Sequence, residues 1–368
     1  MRRRLAAIFL AALVAMAAAS TANASKRLKI GIYEEALTLG NPDVGFPYLQ
    51  ELRPQILRLN LNWYEVAPTR PADPSNPADP AYNWGVYDQT IQRAGTIGVE
   101  VLLHVFGTPP WANGGRPRQY APTNMSDLYA FALAAARRFP TVSKWAAWNE
   151  PNLATYLRPT WRRIRGRLQP VGARTYARMC TNVWRAVHQA AAEAVRPVRV
   201  ACGVTAPYAR GGSGISPIRF LREMKRAKAR FDVYAHHPYS RYRFVSPSTI
   251  PPNRLKTVSL GNIGDLMREL RRRYGKWKRL WITEYGFQTN PPDRLLGVSW
   301  ARQAAWMRQA HRIVRKHRRI DLFLWFLVQD QPDTNGDAFG YDGWQSGLVD
   351  INGTRKPAFF TFQSLPRL

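Results

Sequence analysis

Two glutamates stand at the ends of apolar runs that lie far apart in the chain. Residues 145–152 read WAAWNEPN, where the apolar run stops at Asn149 and Glu150. Pro151 then prevents a strand from continuing, because proline has no N–H to donate. Glu284 ends a second apolar run in the sequence ITEYG. A carboxylate beside buried residues costs free energy unless it has a partner or a function. An ordinary turn with a solvated glutamate is the alternative for the first stretch.

Glycoside hydrolysis requires two opposed carboxyl groups, of which one is protonated and the other is ionised. Arg58 and Tyr239 are expected to reach Glu284, and a guanidinium and a phenol both favour its anion. Glu150 has no cationic neighbour in the sequence and follows Trp148, which raises its pKa. We therefore predict Glu150 as the acid/base and Glu284 as the nucleophile.

Eight short apolar runs alternate with helical stretches along the chain. The runs that we interpret as strands are 27–33, 56–63, 99–106, 144–150, 199–206, 232–239, 279–286 and 321–328. The predicted helices are 86–97, 125–138, 174–194, 216–229, 262–274 and 299–317. Apolar strands separated by helices indicate a parallel sheet covered on both faces, and eight of them favour a single-domain α/β fold, the (β/α)8 TIM barrel. A doubly wound sheet would show a glycine-rich turn after its first strand, and GIYEEALTLG has none.

Catalytic groups of such a barrel lie at the carboxyl ends of its strands. The candidate substrate-binding residues at or just beyond these ends are Arg58, His104, Trp111, Asn149, His237, Tyr239 and Trp325. His237 and Tyr239 share one side of the sixth strand, since side chains alternate with a period of two. We therefore prefer His237 to His236, which we expect to be a structural core residue. The first strand ends in Glu34 and Glu35.

This ordered set resembles the retaining glycoside hydrolases of clan A, especially families 5 and 39. The matching motifs are Asn-Glu-Pro at 149–151, His-x-Tyr at 237–239, Ile-Thr-Glu-Tyr-Gly at 282–286, and the single residues Arg58, His104 and Trp325. The stretches NWGVYDQTIQRAGTIGVEVLLHV and GLVDINGTRKPAFFTF are also similar, so the resemblance covers about residues 27–362. It implies net retention through a covalent glycosyl-enzyme, with Asn149 holding the sugar 2-hydroxyl.

Several further side chains near the predicted strand ends could have either a functional or a structural role. Trp63, Trp111 and Trp344 are either platforms for sugar rings or packing residues. Glu65 is a third carboxylate near the mouth of the barrel, and we expect it to fix a loop. The proline-rich stretch 68–80 is expected to be a long ordered loop after the second strand.

A metal site is not expected. Asp333, Asn335 and Asp337 alternate as calcium ligands do, but Trp344 occupies the position where a calcium loop carries glutamate. The two cysteines do not have the spacing of a metal site. We also expect no cofactor.

The first 24 residues have the pattern of a secretory signal peptide. Three arginines precede the apolar run 5–18, and Ala22-Asn23-Ala24 is a cleavage site. We therefore expect an exported, extracellular catalytic domain of residues 25–368 without a membrane span, since the apolar run is too short for one. Export permits a disulfide. Cys180, on a predicted helix, and Cys202, on the next strand, either form one or stay buried thiols.

The chain is strongly basic, with 54 Lys and Arg against 24 Asp and Glu and a formal net charge of +30. Local concentrations of arginine fall at 162–167, 222–230, 268–273 and 312–319, where we expect outer helices. A solvated basic face is the preferred interpretation, and an anionic cell-wall polymer as partner is the alternative. The scatter of arginines along the chain and the predicted export argue against a nucleic-acid partner.

The sequence as a whole predicts a secreted retaining β-glycoside hydrolase that acts on an oligosaccharide or polysaccharide as a monomer. The alternative is a carbohydrate- or cell-wall-binding protein on a non-catalytic barrel. The presence of both Glu150 and Glu284 favours the enzyme, because a binding protein has no need of both.

Overall fold

Eight parallel strands close into a barrel in the computed structural model, which describes residues 25, 27–209, 214–240, 245–332 and 343–367. The strands, labelled β1 to β8 in chain order, are Lys29–Tyr33, Ile56–Asn62, Glu100–Phe106, Lys144–Ala147, Arg199–Thr205, Val233–His236, Arg279–Ile282 and Ile320–Phe326. Each strand pairs with its neighbours in chain order, and β1 pairs with β8. The predicted (β/α)8 TIM-barrel fold is confirmed.

Helices surround the barrel between the strands. The helices, labelled α1 to α11, are Ala36–Gly40, Pro42–Leu52, Trp63–Val66, Gly85–Thr96, Pro110–Asn113, Met125–Arg138, Val171–Glu193, Pro217–Arg226, Ile263–Tyr274, Trp300–Arg315 and Pro357–Ser364. All six predicted helices are present, as α4 and α6 to α10. In the described ranges, no helix combines the length and apolar character that a membrane crossing requires.

Because side chains alternate along each strand, one set points into the barrel and the other set packs against the outer helices. Inward-facing apolar residues fill the barrel, among them Ile56, Leu102, Ala146, Ala235, Leu322 and Leu324. Because the period is two, Arg58 follows Ile56 on the inner side of β2, and His104 follows Leu102 on β3. The inner positions therefore change from apolar to polar towards the carboxyl ends of the strands.

The chain turns sharply after β4. The strand ends at Ala147, three residues earlier than the prediction of 144–150. Trp148 and Glu150 both have positive φ, 67° and 38°, a conformation that is uncommon for residues other than glycine. Such backbone strain is concentrated at functional sites in proteins. The turn therefore carries Glu150 out of the strand direction and into the mouth of the barrel.

The basic stretch 162–167 corrects one prediction. It does not lie on an outer helix but forms a β-hairpin, in which Arg162–Ile164 pairs antiparallel with Arg167–Gln169. The hairpin belongs to the loop between β4 and α7, so it stands on the face where the strands end. The other three basic stretches begin within α8, α9 and α10, as expected.

The two cysteines form a disulfide between α7 and β5. Cys180 and Cys202 are bonded, and their Cα atoms lie 6.0 Å apart. Both side chains are buried. The bridge therefore fixes a long outer helix to the wall of the barrel.

The loop at 68–80 is ordered by side chains that follow it. Tyr82 donates a hydrogen bond to the Pro74 carbonyl, and Trp84 donates one to Pro77. The predicted signal peptide at 1–24 and the Asp333, Asn335 and Asp337 triplet lie outside the described residues.

Candidate active site

A buried guanidinium joins three strand ends at the mouth of the barrel. Arg58 Nη1 lies 2.9 Å from Glu284 Oε2 and 2.9 Å from the Thr283 carbonyl oxygen. Its Nη2 lies 2.6 Å from Asn149 Oδ1. The ring of Tyr33 packs against the guanidinium at 3.9 Å. Arg58 therefore brings residues from β2, from the segment after β4 and from the segment after β7 into one cluster.

Glu284 has a donor on each carboxylate oxygen. Tyr239 donates to Oε1 at 2.9 Å, and Arg58 donates to Oε2. Burial raises the pKa of Glu284, while the charge of Arg58 and the Tyr239 hydrogen bond act in the opposite direction. The predicted contacts of both residues with Glu284 are confirmed, and together they favour its ionised form.

Glu150 contacts a neutral histidine. Burial and the charge of Arg58 lower the pKa of His237 well below its ordinary value. Its Nε2 lies 3.0 Å from Thr283 Oγ1 and 3.2 Å from Arg58 Nη1, and because a guanidinium can only donate, Nε2 accepts and the neutral ring carries its proton on Nδ1. Nδ1 lies 3.0 Å from Glu150 Oε1 and therefore donates to it. Burial and then the charge of Glu284 raise the pKa of Glu150 well above the ordinary glutamate value. Glu150 therefore keeps its proton at a pH where an exposed glutamate is ionised.

The two carboxyl groups lie close together. An oxygen of Glu150, an oxygen of Glu284 and a nitrogen of His237 all lie within 4.8 Å of one another. Carboxyl groups about 5–5.5 Å apart act by double displacement, and groups about 6.5–9.5 Å apart act through an intervening water. The three groups could also hold a metal ion, but Arg58 already supplies positive charge beside Glu284.

Asn149 and His104 complete the polar lining that the sequence predicted. Asn149 accepts from Arg58 through Oδ1, and its NH2 group, which has no acceptor among the described residues, can donate to a ligand. His104 is fully buried on β3, and neither ring nitrogen has a hydrogen-bond partner of normal geometry in the described chain. Burial and the nearby charge of Arg58 lower the pKa of His104 well below its ordinary value, so this ring is neutral.

The neighbouring histidines at the end of β6 have different surroundings. His236 Nδ1 lies 2.8 Å from Thr205 Oγ1, and its Nε2 lies 3.0 Å from the Val258 carbonyl oxygen. These are core contacts, as predicted for His236. His237 has the inward parity of Ala235 and reaches the carboxyl pair, which agrees with the period-two argument.

Trp325 does not reach the mouth of the barrel. Its side chain is 1% exposed on the outer side of β8, and its Nε1 donates to the Ser346 carbonyl oxygen at 2.8 Å. The prediction that Trp325 contacts substrate is therefore corrected. Phe326 has the inward position instead and stacks on Tyr33 at 4.9 Å between ring centroids. Trp344, 43% exposed, packs edge-on against Phe326 and extends this aromatic wall.

Trp63 and Trp111 pack the loops that follow β2 and β3. Trp63 is fully buried and stacks on Phe131, so it is a packing residue. Trp111 is partly buried, packs edge-on against Trp63 and donates from Nε1 to the Ala67 carbonyl oxygen. The guanidinium of Arg70 covers its ring at 4.5 Å. None of these contacts of Trp111 joins it to the carboxyl pair in the described part of the chain.

The prediction omitted Tyr33 on β1 and Asn60 on β2, and it gave Glu35 no role. Asn60 Nδ2 donates to the Tyr33 hydroxyl at 2.7 Å, and its backbone N–H donates to Glu35. Burial raises the pKa of Glu35 to about 7. Asn60 follows Arg58 by two residues, so the same alternation that singles out His237 could have identified it.

No protein-family model matches this chain, and no curated protein matches it in sequence. Solved structures do match. A family 39 glycoside hydrolase from Bacteroides cellulosilyticus WH2 has a TM-score of 0.63 at 17% identity, over 93% of this chain and 64% of that chain. The barrel is shared with clan A glycoside hydrolases.

Two further solved structures extend the comparison. A β-xylosidase from Caulobacter crescentus CB15 has a TM-score of 0.61 at 16% identity, over 92% of this chain and 68% of that chain. A family 1 β-glucosidase from Thermotoga maritima has a TM-score of 0.57 at 11% identity, over 92% of this chain and 97% of that chain. The resemblance to clan A and family 39 is confirmed at the level of the fold, and function must be argued from the site.

Proposed function

We propose that this protein is a retaining β-glycoside hydrolase. The observation that carries the proposal is the close approach of two carboxyl groups, one buried and one partly buried, with oxygens of Glu284 and Glu150 within 4.8 Å of each other. Their surroundings differ in the way that the reaction requires. Glu284 accepts from a guanidinium and a phenol, whereas Glu150 accepts from a neutral imidazole. The fold shared with glycoside hydrolases adds support.

In the first step the ionised Glu284 attacks the anomeric carbon of a β-glycoside. The bond from that carbon to the leaving oxygen breaks, and the proton of Glu150 passes to the leaving oxygen. An ester then joins the sugar to Glu284, and Glu150 is ionised. His237 stabilises the new anion through its Nδ1–H, which already donates to Glu150 Oε1.

In the second step Glu150 accepts a proton from water, and the resulting hydroxide equivalent attacks the anomeric carbon from the face that the leaving group vacated. The ester bond breaks and Glu284 regains its carboxylate. The two inversions at the anomeric carbon give net retention. Arg58 and Tyr239 hold Glu284 in place for both displacements.

The site offers both polar and apolar side chains to the sugar at the cleavage point. Asn149 is held by Arg58 through Oδ1, and its NH2 group has no acceptor in the described ranges, which suits a contact to the sugar 2-hydroxyl. Phe326 and Trp344 provide an apolar wall beside the mouth, and aromatic rings match the C–H faces of pyranose rings.

The test compares carboxylate variants on a panel of aryl β-glycosides. Glu284→Gln keeps the side-chain shape and removes the nucleophile, so we expect a loss of activity on the order of 10⁴-fold or more. The matched control is Glu65→Gln, since Glu65 is an exposed carboxylate whose contact with Asn62 is that of a loop-fixing residue. The control should retain nearly full activity.

Release of sugar by Glu284→Gln at the wild-type rate would refute the assignment. Binding of polysaccharide by the wild-type chain without any hydrolysis across the panel would favour the non-catalytic barrel. Both variants should unfold at the wild-type temperature to within a few degrees, which separates lost chemistry from lost structure.

We also propose that the protein is exported and acts as a monomer. Support for export comes from the signal-peptide pattern of residues 1–24 and from the Cys180–Cys202 bridge, because disulfides form in oxidising compartments. All the proposed catalytic groups come from one chain, so one copy suffices. Amino-terminal sequencing of protein from the culture medium should give a chain that begins at Ser25.

A further inference from the structure

The hairpin between β4 and α7 carries a concentrated positive charge. Arg162, Arg163, Arg165 and Arg167 are all exposed residues of this short hairpin. None of the four forms an ion pair with a carboxylate in the described residues. Like charges at this density repel one another, which raises the free energy of the hairpin unless an anion binds to it.

Many arginines on the outer helices are placed differently, because they face carboxylates. Arg137 pairs with Glu193, Arg138 pairs with Asp88, and the arginines around Glu269 pair with that residue. These acidic residues therefore neutralise part of the helical shell. The hairpin keeps its charge although it lies on the face that carries the carboxyl pair.

Two neighbouring segments extend the basic hairpin. The loop after β3 carries the exposed Arg116 and Arg118, whose guanidinium groups pack against the rings of Tyr120 and Tyr64. Arg158 leads into the hairpin. The three form no ion pair in the described ranges, so the uncompensated charge spans both loops.

Backbone contacts fix the two loops side by side. The Arg158 backbone N–H donates to the Gln119 carbonyl oxygen at 2.8 Å, and Tyr120 and Arg158 form a β-bridge. At the start of the hairpin, Trp161 Nε1 donates to the Gly214 carbonyl oxygen at 3.0 Å. Hydrogen bonds therefore hold the backbone of the two loops that carry these arginines.

Tyr156 connects this basic surface to the carboxyl pair. The charges of Glu150 and Glu284 raise the pKa of its hydroxyl further above the value that burial gives, and the charge of Arg118 acts in the opposite direction. Trp148 Nε1 donates to the carbonyl oxygen of Tyr156 at 2.7 Å, which ties this residue to the turn that carries Glu150. The segment that contains it begins at Glu150, the proposed acid, which faces the leaving group. The basic surface therefore borders the leaving-group side of the site.

We propose that the basic hairpin, together with Arg116, Arg118 and Arg158, binds the acidic groups of an anionic polysaccharide on the leaving-group side of the cleavage point. This inference rests on the proposed function and names its substrate class. Guanidinium forks bind planar carboxylates and sulfates through paired hydrogen bonds. A polymer with a charge on each repeat can engage arginines along both loops at once, which multiplies weak individual contacts.

The experiment compares two variants of the mature chain with the same loss of charge. In the hairpin variant, Arg162, Arg163, Arg165 and Arg167 are replaced by glutamine. In the control variant, the exposed outer arginines Arg178, Arg199, Arg271 and Arg312 are replaced by glutamine. Binding is measured at low salt against polygalacturonate, dextran sulfate, neutral dextran and duplex DNA, and thermal unfolding verifies that both variants fold.

We expect the hairpin variant to bind the acidic polymers about tenfold more weakly, or about 1.4 kcal/mol, since exposed charge contacts are individually weak. The control variant should bind within a factor of about two of the wild type. Loss on polygalacturonate alone identifies carboxylate as the ligand, and loss on dextran sulfate as well includes sulfate. Arg→Lys at all four hairpin positions should restore part of the affinity, because the charge remains but the fork is lost.

Equal weakening in the two variants would overturn the inference, because the effect would then belong to net charge alone. Equal affinity for dextran and polygalacturonate would overturn it too. Tighter binding of duplex DNA than of either acidic polymer would assign the hairpin to nucleic acid instead. Turnover of an aryl β-glycoside by the wild-type chain is scored separately, so failure of the hairpin inference leaves the proposed function intact.

Discussion

At the scale of single residues, Arg58 determines the arrangement of the site. A fully buried guanidinium is costly unless its hydrogen-bonding groups have partners. Both terminal nitrogens of Arg58 find them in Glu284, Asn149 and the Thr283 carbonyl oxygen, while its Nε has no partner in the described chain. Burial and the charge of Arg58 lower the pKa of His237, which keeps that ring neutral beside Glu150. One inward position on β2 therefore favours the anion of Glu284 and helps to keep His237 neutral, while burial and the charge of Glu284 raise the pKa of Glu150.

The pH dependence of activity follows from that pattern. Activity requires Glu284 to be ionised and Glu150 to be protonated, so kcat/KM should be bell-shaped. The pKa of Glu150 is raised well above the ordinary value, so the alkaline limb should lie well above pH 4.5. On an aryl glycoside with an activated leaving group, Glu150→Gln should remove the alkaline limb, since glutamine has no proton to lose.

The Glu150→Gln profile is measured as kcat/KM between pH 4 and 10, with Glu65→Gln as the control that keeps the bell shape. The two limbs belong to the coupled pair and not to either carboxyl alone. An alkaline limb that persists unchanged in Glu150→Gln would contradict the assignment of Glu150 as the acid.

At the scale of elements, apolar runs predicted the barrel strands because parallel strands are buried on both faces. The same property explains the mistake at Trp325. β8 is apolar on both sides, so its sequence does not distinguish the inner face from the outer one. The pairing of Tyr33 with Phe326 decides it, and that register is not visible in the sequence.

The hairpin at 162–169 was missed for a different reason. Its arginines resemble the solvated face of a helix, and its hairpin turn at Arg165 and Gly166 is short. Both residues have positive φ, 48° and 74°, as a tight hairpin turn requires. Gly166 was the one signal that could have indicated the turn.

The disulfide between α7 and β5 should contribute to stability. It closes a loop with a sequence separation of 22 residues, for which chain entropy predicts about 3 kcal/mol. Cys180→Ala with Cys202→Ala should lower the free energy of unfolding in urea by about that amount. Activity at 25 °C should be unchanged, because neither residue contacts the site. An unchanged urea midpoint would contradict this account.

A buried ion pair anchors the segment after β8. Lys356 Nζ lies 2.6 Å from Asp330 Oδ2 and 2.8 Å from Thr289 Oγ1, with the lysine fully buried. Lys356→Ala leaves the Asp330 carboxylate without its partner and should cost about 3–5 kcal/mol of unfolding free energy.

The matched control for that pair is the adjacent Arg355, which pairs with Glu51 at the surface with both side chains well exposed. Arg355→Ala should cost at most about 1 kcal/mol. Both variants remove one cation, and the two positions are adjacent in the chain. The difference between their losses of unfolding free energy in urea therefore measures the effect of burying the ion pair. Equal losses of unfolding free energy would show that the buried Lys356 pair contributes no more to stability than the exposed pair.

At the scale of the whole molecule, the barrel persists in enzymes that share only 11–17% of their residues with this chain. The alternation of apolar strands and helices is sufficient to predict that fold, because closure depends on pattern and not on particular side chains. The position of Glu150 and Glu284 over one site was predicted from the same topology. The distribution of charge over the surface could not be predicted from the topology. The folding of each loop decides whether its arginines face carboxylates or solvent.

The most direct test of the account is the anomeric configuration of the sugar first released from a β-glycoside. Proton NMR of the reaction in D₂O, started with the wild-type chain, distinguishes the two anomers before they equilibrate. Two displacements at carboxyl groups as close as Glu150 and Glu284 predict that the β-anomer appears first. The α-anomer as first product would show a single displacement by water and would contradict the mechanism.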